Sequence, residues 1–122
     1  MTPTTLSLMS DPKTGWTLSV SGARRAAERA MRAATVAFEW ANREGVGMEL
    51  GMEALTAAEE AMHAAERASV ATTLEAIREE AALAWAAAER TIAIDRRLTN
   101  TIAKVMWVTE IDRTDEDPTV LA

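Results

Sequence analysis

Alanine constrains this chain more than any other residue. It makes up roughly a fifth of the sequence and is concentrated between Ala23 and Ala103. Alanine is the strongest helix former because it loses no side-chain rotamer freedom in a helix. It also buries little area, so an alanine face offers less hydrophobic drive than a leucine face. Such helices must pack closely, or bury more surface in a partner or a second copy. At 122 residues the chain is one domain's worth, with a modest core.

The helical pattern falls into segments. The first opens at Ser21, a capping residue, and Gly22; it continues through the stripe Ala27, Met31, Ala34, Phe38 and Ala41 and stops at Gly45-Val46-Gly47. A second is predicted from Leu55, Ala58, Met62 and Ala65, and a third from Val70, Leu74, Ile77, Ala81, Trp85, Ala88 and Ile92. Thr72 and Glu75 have capping-box spacing, which predicts a break near residues 69–72. One unbroken helix over about 50–97 is the alternative.

Residues 1–22 read differently. Leu6-Ser7-Leu8 and Trp16-Thr17-Leu18-Ser19-Val20 alternate apolar and polar around the turn-forming run Asp11-Pro12-Lys13-Thr14-Gly15. This predicts a β-hairpin with strands near 4–10 and 15–21, which needs further cover because a lone hairpin is marginal. Residues 101–111 are ambiguous. Ile94, Leu98, Ile102 and Val105 continue a helical stripe, whereas the β-branched and aromatic content favours a strand. The hairpin's need for a third strand tips the choice to a strand. The expected class is therefore mainly α (α+β): an N-terminal hairpin, with a C-terminal candidate for its third strand, packed on two or three long antiparallel amphipathic helices. The parts of this one domain are an arm over 1–22, a helical bundle over 23–98, and a C-terminal segment with an acidic tail over 99–122.

The chain carries net charge −6, and the charge is segregated. Residues 23–43 are net +3, 44–89 net −8, 90–104 net +3 and 105–122 net −4. The simplest consequence is that the basic first helix lies beside an acidic neighbour and the charges fix the pairing. Arg24, Arg25, Arg29 and Arg32 are spread around their helix, with no aromatic residue interleaved for base stacking. Nucleic acid is therefore a disfavoured partner.

Chemistry-bearing residues are few. The absence of cysteine excludes disulfides, thiolate metal sites and cysteine nucleophiles. Glu60 and the single histidine, His63, have the Glu-x-x-His spacing by which ferritin-like bundles hold iron or manganese, and Glu39 and Glu89 are conceivable further ligands. One chain has one such motif and the bundle needs two, so this alternative requires a dimer. The plainer role for His63 is a surface pairing with Glu59 or Glu66. Outside that alternative no cofactor is expected. No nucleophile elbow or phosphate loop is present, and no enzymatic activity is expected.

The expected function is a non-enzymatic interaction or assembly protein that self-associates or docks as a small subunit on a larger complex. Trp16, Leu18, Trp40, Trp85 and Trp107 are the candidate interface residues, because tryptophan supplies large contact area at little entropy cost. A further alternative is an acidic binder or inhibitor of a basic, nucleic-acid-binding partner, acting through residues 49–80. The opening residues carry no basic and apolar signal pattern and no stretch is apolar enough to span a bilayer, so a cytoplasmic location with no membrane partner is expected.

Overall fold

The computed structural model describes residues 10–116, with side chains described for residues 10–107. Three helices follow one another: α1 (Val20–Glu44), α2 (Met48–Val70) and α3 (Leu74–Glu116). The connections are only 45–47 and 71–73, so sequential neighbours run antiparallel and α3 lies parallel to α1. All three pairs of helices pack on one another.

The expected α+β class is overturned: the fold is an all-α three-helix bundle, with no strand or sheet among the described residues. Of the hairpin there remains one isolated antiparallel bridge, Ser10 to Thr17. The turn itself forms. Asp11 accepts from the Lys13 amide (3.0 Å) and the Thr14 hydroxyl (2.9 Å), and the Gly15 amide donates to the Asp11 carbonyl (2.7 Å). The Lys13 amide bond, and after it the Thr14 hydroxyl bond, hold the Asp11 carboxyl below its ordinary pKa. The second strand is cut short because Ser19 caps α1: its hydroxyl accepts from the Gly22 amide at 3.0 Å. The cap therefore lies two residues before the predicted Ser21. Leu6, Leu8 and most of the predicted first strand lie outside the described residues.

Residues 101–111, the candidate third strand, are helical and belong to α3. With no sheet for their β-branched residues to join, the continuous stripe of Leu98 and Ile102 governs. The break between α2 and α3 is present, but its cap is Thr73, whose hydroxyl accepts from the Ala76 amide (3.1 Å), rather than Thr72. At the other connection Gly45 and Gly47 both adopt positive φ (69° and 77°), a conformation that costs other residues roughly 1–2 kcal/mol.

The core is made of alanines at heptad spacing. On α1 these are Ala23, Ala27, Ala30, Ala34, Ala37 and Ala41; on α2, Gly51, Ala54, Ala58, Ala61 and Ala68; on α3, Ala81, Ala84 and Ala88. A 3.5-residue repeat keeps one seam facing its neighbours along the whole bundle. The seam is rotated from the predicted stripes. Met31, Leu55 and Trp85 sit half-buried at its edges rather than at its centre. Alanine at the centre lets helix axes approach to the short end of the ~8–10 Å range, which pushes long side chains to the margins. The largest fully buried side chains, Thr91, Leu98 and Ile102, all lie on α3. Thr91 satisfies its hydroxyl by donating to the Ala87 carbonyl (2.9 Å).

Candidate functional site

Four of the five candidate interface side chains are used within the chain. Residues 10–19 fold back across the α1–α3 groove, and Leu18 is buried there. Trp16 stacks on Trp85 with ring centroids 6.5 Å apart and planes within 9° of parallel. Both indole N–H groups are occupied: Trp85 donates to the Thr17 carbonyl (3.0 Å) and Trp16 to a Glu89 carboxylate oxygen (3.2 Å). Gly22 makes this fold-back possible. A Cβ there would lie 2.0 Å from the Thr17 carbonyl oxygen. Trp40 packs half-buried against the core.

Trp107 is different. It is 68% exposed, and Met106 beside it is 53% exposed. The reason is length. Helix α3 has 43 residues against 25 and 23 for α1 and α2. Its Leu98 side chain packs against Gly47, at the α1–α2 connection, and Ile102 is the last buried residue among the described side chains. Residues 103–116 therefore project beyond the end of the bundle by about 20 Å at 1.5 Å per residue.

The metal alternative finds Glu60 and His63 on the α2–α3 seam. Glu60 is ion-paired to Arg90, and His63 shares its shallow 290 Å³ groove with Arg67 and Arg90. Two guanidinium groups beside these residues oppose a cation there. Glu89 is engaged by Trp16 from the opposite seam. Among the described residues no group of three His, Asp or Glu side chains is placed to hold a metal ion.

The basic α1 packs beside the acidic α2, as the charge segregation predicts, but the ion pairs fall elsewhere. Among the described residues the ion pairs, Arg67–Glu80 (2.8 Å) and Arg90–Glu60, join α2 to α3, and no α1 arginine takes part. Arg24 lines a 260 Å³ groove with Met31 and Met62 between α1 and α2. Arg29 lines a 560 Å³ groove between α1 and α3 that also holds Trp16, Trp85 and Arg96. The structure thus sets aromatic rings beside two arginines, a juxtaposition the linear sequence concealed because Trp16, Arg29, Trp85 and Arg96 come from three separate segments. The acidic residues Glu49, Glu53 and Glu60 line a 520 Å³ groove with Met52 and Ile94 between α2 and α3. Among the described residues no helix is long and apolar enough to cross a membrane.

The sequence signal that could have singled out the projecting segment was length: no break residue interrupts the chain between Leu74 and Pro118. No family model, curated protein or solved structure matches this chain.

Proposed function

We infer that the protein is a helical protein–protein interaction module: a rigid three-helix platform that presents the projecting end of α3 to a partner. The observation that carries this reading is Trp107. It is 68% exposed on a helix that has left its own bundle, whereas Trp16, Trp40 and Trp85 are packed against it. An exposed indole beside an exposed methionine is the residue type that anchors protein contacts. The sequence around it is apolar on several sides of the helix (Ile102, Val105, Met106, Trp107, Val108), and a helix of that kind is stable when surrounded by protein.

A photo-crosslinking amino acid placed at Trp107, with Val36 on the bundle flank as the control site, tests this in the cells that make the protein. Val36 is also exposed, at 59%. Discrete protein adducts from position 107 that are absent from position 36 support the reading. Equal labelling from both sites, or none, refutes it.

A further inference from the structure

We propose that the partner of the projecting helix is a second copy of this chain, with the two α3 helices antiparallel about a two-fold axis near Met106. This rests on the interaction reading above and specifies its partner.

The argument is one of register and charge. Residues 96–104 carry Arg96, Arg97 and Lys104 and no acidic residue, a net +3. Residues 108–116 carry Glu110, Asp112, Asp115 and Glu116 against Arg113, a net −3. These nine-residue blocks are equidistant from residue 106, and helix α3 is continuous through both. An antiparallel copy centred there sets the basic block of one protomer beside the acidic block of the other, twice. At register positions 97 and 115, which the 100° helical step brings to the same flank, an arginine of one copy stands opposite an acid of the other; beyond that pair the match is one of block against block. The exposed Met106 and Trp107 lie at the axis, where each meets its symmetry mate's neighbourhood.

Three competing arrangements are less complementary. A parallel pair would set +3 on +3 and −3 on −3, which repels. A docking of the projecting helix on the α2–α3 groove of another copy would set its acidic end against Glu49 and Glu53, with the Arg90 charge there already paired to Glu60. A head-to-tail contact does not close on itself and leads to open chains, whereas a two-fold contact closes as a dimer. Arg96 and Arg97 are exposed and make no ion pair in the described structure, so both are available for the symmetric contact.

The test is light scattering on the full chain and on two charge-reversed forms. One carries Arg96→Glu and Arg97→Glu; the other carries Asp115→Arg and Glu116→Arg. Circular dichroism confirms that each remains helical, as expected for substitutions that leave the alanine core untouched. The native chain is expected to have the mass of two protomers at low salt and to dissociate as salt rises. Each reversed form should dimerise at least about tenfold more weakly, since the facing blocks then carry charge of the same sign. Mixing the two reversed forms should restore a dimer. A native chain that is monomeric at low salt overturns this proposal. In that case, adducts of position 107 with a different protein would leave the interaction reading standing, and their absence would remove both. A dimer indifferent to both reversals, or reversed forms that fail to recover on mixing, overturns the antiparallel register.

Discussion

Replacing Gly22 with alanine sets two opposing effects against each other. In a helix interior, exchanging glycine for alanine stabilises by about 1 kcal/mol. Here the added methyl would lie 2.0 Å from the Thr17 carbonyl oxygen and 2.9 Å from its carbonyl carbon. Both are backbone atoms, so the neighbour cannot relieve the overlap by rotating a side chain. The segment over residues 10–19 must lift away from α1. That forfeits the Trp85 bond to the Thr17 carbonyl, the stacking of Trp16 on Trp85 and the burial of Leu18. These contribute about 0.5–1.5, 0.5–1.5 and 1.5–3 kcal/mol respectively. The loss of about 2.5–6 kcal/mol outweighs the helical gain, leaving Gly22→Ala destabilised by about 1.5–5 kcal/mol. Urea denaturation followed by circular dichroism measures the stability, and near-ultraviolet dichroism reports the stacked indoles. The midpoint should fall and the indole signal should collapse while helical content stays near native. A Gly22→Ala chain as stable as the native one, with its indole signal intact, would show that the fold-back is not held as described.

Other perturbations separate core, surface and titration effects. Ala84→Leu should destabilise the bundle by about 1–3 kcal/mol or more, because the close-packed alanine seam has no room for three further carbons; thermal unfolding would show the drop, and an unchanged midpoint would argue against close axial packing. Leu98→Ala should cost about 2–5 kcal/mol by opening a cavity beside Gly47, read by the same denaturation series. Glu60→Gln breaks only the exposed pair with Arg90, so its cost should stay below about 1 kcal/mol and shrink with salt. Burial raises the Asp95 carboxyl above its ordinary pKa, so the folded state holds that proton more tightly than the unfolded state. Its contribution to stability therefore falls as pH rises from the unfolded value through the raised folded value. Asp95→Asn should be more stable than the native chain at neutral pH, and the difference should fade in acid below both values; equal stability at neutral pH would refute the assignment.

The surroundings of the Glu60–His63 motif are set by tertiary neighbours that the linear sequence does not display. Glu60 and His63 do share a helix face, as their spacing requires, but what decides their chemistry is the α3 residue opposite them. Arg67 lies one turn beyond His63 on the same helix, but Arg90, which ion-pairs with Glu60, comes from α3 and no spacing along α2 reveals it. The same holds for the Trp16–Trp85 pair. Each tryptophan was visible as a large apolar residue, yet their stacking depends on where residues 10–19 cross α3.

The sequence by itself determined the helices. Alanine propensity, the caps available at Ser19 and Thr73, and the glycines at 45 and 47 act over a few residues, and local physics reads them within one or two positions. It also determined that the N-terminal turn at Asp11 would close, since its bonds span only three or four residues. Only the tertiary structure decided what lay beyond the turn and where the core seam ran. Strand and helix preferences over 101–111 are nearly balanced locally, and the sheet that would have favoured a strand does not form. The seam follows the small residues rather than the large ones because close approach of three helices favours alanine at the axis and leaves Met31, Leu55 and Trp85 at the margin. That same unequal division of length, with α3 outrunning its partners, is what leaves Trp107 outside the core.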